Sequence, residues 1–499
     1  MAPNDASREA TEQVEVAIIG CGPVGAMLAN LLGLQDVSCV VLEREAEIYA
    51  LPRAVHFDDE VMRLFQTIGL ADAMQPLVHV SPGMKFIDDD GRLLLDWSRP
   101  PGIGPQAWHT SYRFHQPDLE RVLRSGLARW PTVKVRLRTE VFAVEEAQAG
   151  VEVAYEDLAT ARLGRLRANY VVGCDGARSL IRRLIGEPME DLGFHERWLV
   201  IDAILKRPRP DLGDYSVQHC SKHRPATYVR GTGDRRRWEI AVLPDEDGAA
   251  LTQPAASYAL QQPWVTPEDV ELERTALYTF HSALAPVWRA GRLLIAGDSA
   301  HLTPPFLGQG MCAGMRDAGN LAWKLARVLR GQAEDGLLDT YQEERCPHVR
   351  EYIELAVRLG GLINTKAMAA ALPEGALPGA DAARMSSIKP TLKRVLTGGW
   401  DEPAGRIAPQ PRLSDGSRLD DRVGYRFAAL VEPELAETMP PCIRERLAAR
   451  DVVIVADEAP EQRAWLRQTG AAAVLVRPDR YVLGAARSVQ ELDALAQAV

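Results

Sequence analysis

Residues 14–19 (VEVAII) form a β-branched apolar run that stops at glycine, the pattern of a strand buried on both faces. A helical period follows through Ala26, Leu28, Ala29 and Leu32 and closes near Gly33, and residues 39–42 (CVVL) read as the next strand. The chain therefore opens with a βαβ unit, the signature of an α/β fold. Two later runs, 170–173 into Cys174-Asp175-Gly176 and 292–296 (RLLIA) into Gly297-Asp298, repeat the buried-strand-to-turn style. From Gly310, residues Met311, Met315, Ala318, Ala322, Leu325 and Leu329 recur at spacings of four and three. That period predicts one long helix with a single buried face, closed by Gly331 as its C′ residue. Between these parallel-style strands, residues 185–285 alternate in short segments such as YVRG and RRWEIAVLP, as an antiparallel sheet would. Residues 80–112, rich in Gly, Pro and Trp, read as irregular, and 345–395 as a helical connection. A Gly/Pro-bearing linker at 405–411 precedes a last α/β segment in which DVVIVAD and AAAVLVRPDRYVL supply strands around a helix.

Composition narrows the class. A chain of 499 residues has room for about three domains. Its 46% apolar and 25% charged residues match an ordinary soluble globular protein. A net charge of −10 argues against nucleic acid or an anionic membrane as partner. The seven cysteines are scattered without a C-x-x-C pair, so they read as reduced thiols of a cytoplasmic protein, with no metal site. The first dozen residues lack the apolar core of a secretory signal, and residues 17–34 are broken by Gly20, Gly22, Pro23 and Gly25, which excludes a membrane span.

Three motifs carry chemistry. Gly20-Cys21-Gly22-Pro23-Val24-Gly25 is a G-x-G-x-x-G set between strand and helix, where a pyrophosphate can meet exposed N–H groups. Glu43 follows 23 residues after Gly20, at the end of the second strand, placed to accept hydrogen bonds from a ribose. This pair indicates an ADP moiety without separating NAD from FAD. The second motif is DGARSLIR, from Asp175 to Arg182; the third is AGDSAH from Ala296 to His301, continuing through Pro304-Pro305 to Gly308-Gln309-Gly310. A carboxylate at Asp298 suits the ribityl hydroxyls of a flavin, which no nicotinamide coenzyme possesses. A helix starting at Gly310 would aim its positive end at the flavin edge that becomes anionic on reduction.

The ordered set GxGxxG with Glu43, DGxxSxxR and GDSAHxxPPxxGQG resembles the FAD-dependent aromatic hydroxylases of the p-hydroxybenzoate hydroxylase type, the group A flavoprotein monooxygenases. Four stretches look most like the 3-(3-hydroxyphenyl)propionate hydroxylases: PRAVHFDDE (52–60), GMRDAGNLAWKLA (314–326), LLDTYQEER (337–345) and VRPDRYVL (476–483). The resemblance covers nearly the whole chain. It implies a Rossmann-like FAD-binding domain with an inserted antiparallel-sheet substrate domain and a C-terminal thioredoxin-like domain. The FAD-binding parts would be 12–80, 113–184 and 286–345, and the substrate domain 81–112 and 185–285. A helical connection over 346–404 and a tail over 405–499 complete the expected division.

Carried over by position, the resemblance places Gly20, Gly22, Pro23, Gly25 and Glu43 on the ADP half of FAD, with Arg44 at the same site. Arg53 and Gln116 match positions that contact FAD, and Asp175 would lie near the pyrophosphate and the path of the nicotinamide. Asp298 would bind the ribitol, Gly308, Gly310 and Met311 the flavin ring, and the Pro304 carbonyl would face the reaction space. The implied reaction uses NADH or NADPH as transient donor and O2 as cosubstrate, and hydroxylates a small phenolic substrate through a flavin C4a-hydroperoxide. A single dinucleotide fingerprint and the absence of C-x-x-C argue against a disulfide reductase, and the missing W-x-W-x-I-P segment argues against a flavin halogenase.

Ionising the phenol calls for a base. Among His56, Asp58, His115, His219 and His223, His56 is the catalytic candidate; Arg224 and Arg230 are the candidates for a substrate carboxylate. Arg235-Arg236-Arg237 reads as a hairpin edge, and His301 as a residue that orients the flavin loop. Two alternatives stay open beside the hydroxyphenylpropionate-like substrate: hydroxylation of a polycyclic polyketide phenol, and a flavin-binding sensor without turnover. A homodimer is also left open.

Overall fold

The apolar run that opens the chain becomes the middle of a sheet. In the computed structural model, which describes residues 12–50, 53–148, 150–363, 383–393 and 402–498, Glu12–Ile19 runs parallel to Arg162–Gly173 on one side and to Cys39–Leu42 on the other. Leu293–Ile295 and Val133–Arg136 extend it in parallel at the two sides. Cys39–Leu42 and the last four residues of Glu12–Ile19 are fully buried because helices cover both faces. Helix Pro23–Leu34 packs against Gly310–Leu329 and Gln116–Leu127. The predicted C′ residue is in place: Gly331 (φ +65°) donates to Val328 and Gln332 to Arg327, which closes the helix Gly310–Leu329. Two further strands, Thr139–Ala147 and Gly150–Asp157, add an antiparallel meander.

A second sheet has nine strands among the described residues. Its spine is the long antiparallel pair Glu190–Leu205 and Val270–Leu284, joined by Arg235–Ala241, Ala226–Arg230 and Ser216–His219. Alternation divides its faces. Leu199, Ile201, Tyr228, Trp238 and Ile240 bury one face in a common apolar cluster. The opposite face carries Asp202, Arg237 and Glu239, an ionic group toward the first sheet.

Three readings of the sequence are corrected here. Residues 80–112 are not irregular throughout: Gly83–Ile87 and Leu93–Ser98 are strands of the second sheet, and Ser111–Phe114 pairs with His56–Asp58. Arg235-Arg236-Arg237 does open the second strand of a hairpin with Ala226–Arg230, but not at a sheet edge: Arg235–Ala241 lies between two neighbouring strands and Arg237 is neutralised by Asp202 opposite it. The connection over 346–404 is only partly helical. Helix Asp339–Ile363 leads in, but residues 383–393 hold no helix, and Ala383–Arg384 joins the edge of the second sheet. Residues 364–382 and 394–401 lie outside the described residues.

The last sheet runs Val452–Ala456, Phe427–Val431, Ala473–Val476, Val482–Ala486, with the first pair parallel and the others antiparallel. The 405–411 segment is not a free linker: Gly405 donates to Val482 and Ala408 to Arg480. The VRPDRYVL stretch docks this unit on the first. Arg477 meets Glu344 at 2.7 Å, Asp479 accepts from Asn320 at 2.9 Å, and the Tyr481 hydroxyl donates to Glu60 at 3.2 Å, all within the protein interior. Among the described residues no helix is long and apolar enough to cross a membrane, and all seven cysteines are free thiols.

Candidate active site

The glycine loop is shaped by contacts that exclude side chains. Gly20 has φ +100°, and a Cβ there would lie 2.5 Å from the Cys174 carbonyl; one at Gly25 would lie 2.1 Å from the Gly20 carbonyl. Gly22 has nothing within 4 Å of its Cβ direction and lines a cavity of about 360 Å³. It also caps helix Pro23–Leu34, with no side chain on the free N–H groups, so the loop offers an open, positively polarised cradle. Glu43 accepts from Cys21 N–H (2.7 Å) through one carboxylate oxygen and from Glu45 N–H (2.9 Å) through the other. Both bonds fix it at the strand end with lone pairs left for a ribose. Arg44 is exposed and pairs with Glu45 at 3.0 Å, outside the cavity.

Asp175 and Asp298 divide their work. The Asp175 carboxylate accepts from Leu180 N–H (2.6 Å) and from the Ser299 hydroxyl (3.0 Å), tying the second motif to the third. Asp298 lines the cavity, and no hydrogen bond from a described residue reaches its carboxylate. Its surroundings in the cleft raise its pKa above the usual aspartate value, with His301 and Arg53 opposing. Fully buried His301 meets Asp317 at 2.7 Å, and Asp317 also accepts from Gly297 N–H (3.1 Å) and Arg345 (2.9 Å). The loop that presents Asp298 is thus braced from behind.

Arg53 reaches the cavity next to Gln116, whose amide oxygen accepts from Arg53 N–H (2.9 Å) and Ala54 N–H (2.8 Å). Gln116 therefore shapes the Arg53 segment as well as lining the cleft. Gly308, Gly310 and Met311 line the cavity at the uncapped start of helix Gly310–Leu329, while Met315 is core. Pro304 is buried; Thr303, Pro305 and Phe306 are the residues beside it that face the cavity. An open cradle at Gly22, an unpartnered carboxylate at Asp298 and a helix N-terminus at Gly310 line one cavity, a donor and acceptor set that fits FAD.

Across the cavity the second sheet contributes Gln218, Thr227, Arg237 and Phe280. The arginines proposed from sequence for the substrate point elsewhere. Arg224 pairs with Glu246 and Arg230 with Asp214 at 3.3 Å, and neither lines the cavity. Arg99 and Arg113 take that position, and sequence reasoning missed both. Arg113 donates to the Ser216 hydroxyl at 2.8 Å, and Arg99 stacks 4.1 Å over Trp97 and donates to Ser387. Neither forms an ion pair with a described residue, and the Nε of each is buried without a hydrogen-bond partner. Burial pulls both down to about 10, which leaves them cationic at neutral pH.

His56, beside them, is buried between Gly308 O (Nδ1, 3.2 Å) and the Ser111 hydroxyl (Nε2, 3.0 Å). Burial, then Arg113 and Arg99, push it down to about 3, so it is neutral. Of the other candidates, Asp58 is held by Arg316 and Gln309, His115 by Asp118, and His219 by Trp264; His223 is exposed. A larger neighbouring cavity of about 860 Å³ shares His56, Trp97, Arg99 and Leu307 with the first.

The glycine loop gives a direct test. Gly25→Ala forces a Cβ against the Gly20 carbonyl and should weaken FAD binding about 10- to 100-fold, the equivalent of roughly 1–3 kcal/mol of overpacking. Flavin fluorescence on titrating apoprotein measures it; unchanged affinity would refute the loop's role.

Residues 13–356 match the FAD binding domain family, and residues 432–499 the HcaD C-terminal domain family. A probable NADH-specific resorcinol 4-hydroxylase of Rhodococcus jostii (strain RHA1) is 38% identical, covering 99% of this chain and 96% of that protein. A 3-(3-hydroxy-phenyl)propionate/3-hydroxycinnamic acid hydroxylase of Burkholderia cenocepacia (strain HI2424) is 35% identical, covering 94% and 93%. Among solved structures, aklavinone-11 hydroxylase in complex with FAD and aklavinone shares the fold with a TM-score of 0.82 at 22% identity, covering 98% of this chain and 99% of that one.

Proposed function

The chain belongs to the FAD-dependent aromatic hydroxylases, enzymes that use FAD, NAD(P)H and O2, and we propose that its substrate is a phenol bearing a carboxylate side chain, of the 3-(3-hydroxyphenyl)propionate kind. The observation that carries this reading is the pair Arg99 and Arg113. Two cations face one cavity with no ion-pair partner among the described residues and with unsatisfied Nε groups, a receptor for a planar anion.

Bound FAD supplies hydride acceptance from NAD(P)H and oxygen activation. The chain does the rest. Gly22 and the start of helix Pro23–Leu34 would hold the pyrophosphate, Glu43 the ribose, and Asp298 the ribitol. The N-terminus of helix Gly310–Leu329 favours negative charge on the flavin ring. Met84, Trp97, Phe280 and Phe306 exclude water and enclose the substrate ring. Arg99 and Arg113 orient it by its carboxylate, with His56 at the wall between the two cavities.

The adjoining cavity of about 860 Å³ favours a second reading, a polycyclic phenol that spans both. We also read the C-terminal unit as thioredoxin-like: the strand order second-first-third-fourth, with only the first pair parallel, supports it. The deciding experiment is anaerobic stopped-flow reduction of the holoenzyme by NADH and by NADPH, alone and with 3-(3-hydroxyphenyl)propionate, resorcinol or a polycyclic phenol. Acceleration of flavin bleaching chiefly by the carboxylated phenol is expected. Acceleration by resorcinol or the polycycle instead would overturn the substrate assignment.

A further inference from the structure

The larger cavity reaches from the flavin cavity to the protein surface. At its inner end lie the four residues it shares with the smaller one, of which His56, Trp97 and Leu307 are buried. At its outer end Pro105, Arg384, Ser386, Ser387 and Gln468 are exposed. Three parts of the chain build its walls: Asp96 to Arg99 of the second sheet, residues 384–389, and Trp465 with Gln468 of the C-terminal unit. Residues 384–389 are fastened where they lie. Met385 N–H donates to Asp96 O (3.0 Å), the Tyr352 hydroxyl to Ile388 O (3.2 Å), and Lys389 to Asp59 (2.9 Å). On its other side the flavin cavity is lined by Gly22, Pro23 and the exposed Arg53, residues read above as FAD contacts. A bound cofactor would fill that side and leave the larger cavity as the way in.

Charge along this path is ordered. The acidic run Asp58-Asp59-Glu60 is neutralised, since Arg316 pairs with Asp58 and Glu60, and Lys389 with Asp59. Asp96 accepts from Ser98 N–H (3.0 Å) and feels both Lys85 and Arg384, so one acid faces two cations there. Three arginines along the route form no ion pair with a described residue: Arg384 at the exposed rim, Arg99 at the neck between the cavities, and Arg113 inside the flavin cavity.

We propose that the larger cavity is the entry channel for the substrate, and that Arg384, Arg99 and Arg113 pass its carboxylate inward in turn. Exposed Arg384 acts at long range and raises the rate of encounter without holding the ligand. Arg99 and then Arg113, each with a buried Nε lacking a partner, bind the anion at short range. The C-terminal unit, through Trp465 and Gln468, serves as a wall of the channel. The guidance by charge rests on the carboxylate reading above, whereas the channel itself does not.

Stopped-flow mixing of oxidised holoenzyme with a phenol, followed by flavin absorbance, reads association and dissociation rates without turnover. The probes are 3-(3-hydroxyphenyl)propionate and its neutral amide. Ser386→Trp and Gln468→Trp narrow the channel from two walls. Each should slow association and dissociation together, by about 10-fold, and keep Kd within about 2-fold for both probes, because a barrier on the path leaves the end states alone. Arg384→Glu should slow association of the acid about 10-fold at about 0.01 M salt. It should have little effect at about 1 M salt, where charges are screened beyond about 3 Å, and should spare the amide. If neither tryptophan variant slows binding, the channel is overturned. If they do, but Arg384→Glu leaves the acid unaffected or slows both probes equally, the guidance alone is overturned. If the wild type binds the amide as tightly as the acid, the carboxylate reading falls, and the tryptophan variants still decide the channel on the amide. Binding of neither probe would overturn both.

Discussion

Replacing Glu344 by glutamine is expected to destabilise the folded protein by about 3–5 kcal/mol, because it strips the shared carboxylate from two buried cations. Glu344 lies at 2.7 Å from both Lys324 and Arg477, and all three side chains are fully buried. Burial alone would raise the carboxyl, but Arg477 and Lys324 outweigh it and hold it at about 2. Burial pushes Lys324 the opposite way, down to about 8, so desolvation outweighs the single anion at its side. The Glu344 direction is the one that governs, since this carboxylate has two cations against the lysine's one anion. Without Glu344 the lysine must shed its proton, and Arg477 keeps only Asp479 at 2.6 Å. Because the folded value lies below the ordinary 4.5, the contribution is present above about pH 4.5 and is lost as pH falls toward 2. Glu344→Gln should therefore lower the denaturation midpoint at pH 7 and flatten the loss of stability below pH 4.5. Adding Lys324→Met should recover part of the loss, since it removes the buried ammonium that Glu344→Gln leaves without its carboxylate. Chemical denaturation of the single and double variants, followed by tryptophan fluorescence, measures both effects. A single variant as stable as the wild type would show that the triad does not clamp the C-terminal unit.

This triad also marks the limit of what sequence patterning reveals. The glycine loop, Glu43, Asp175 and the Asp298 loop were legible because each is a strand, a turn and a helix start within a few residues, so local chemistry fixes the geometry. Glu344 and Arg477 are 133 positions apart, and only packing unites them. The substrate face failed to read for a related reason, the parity of strands. Thr227 and Val229 face the cavity, so Arg230 on the same strand points away from it, while Arg237 and Glu239 face it. Arg224 precedes the strand and is captured by Glu246. Ser111 was overlooked because its segment, with its many Gly, Pro and Trp residues, read as irregular, and Arg113 follows directly after it. A usable signal was present: His-Phe-Asp at 56–58 and Ser-Tyr-Arg-Phe at 111–114 both alternate polar with aromatic residues, the mark of paired strands with one polar face.

That polar face carries the second large effect, on selectivity. Arg113→Met should raise the KM for a carboxylated phenol about 30- to 150-fold, the loss of roughly 2–3 kcal/mol from a charge-assisted contact in a desolvated cavity. The same substitution should change the KM for a neutral dihydroxybenzene only a few-fold, because that ring presents no anion. Arg113 stands without an ion-pair partner among the described residues, so removing its charge breaks the Ser216 hydrogen bond and weakens a longer-range attraction to Glu239, which keeps its pairing with Arg237. The penalty therefore falls chiefly on the bound state, in contrast to Arg237, whose removal would leave Glu239 without its ion pair and Asp202 with Arg274 alone. Steady-state kinetics on both substrate types, with Arg99→Met in parallel, supply the comparison. Equal losses on the two substrates would mean that Arg113 serves the shape of the cavity and not its anion, and the carboxylate assignment would fall. A selective loss, larger still in the double variant, would tie the choice of substrate to two side chains that strand pairing delivers to one wall.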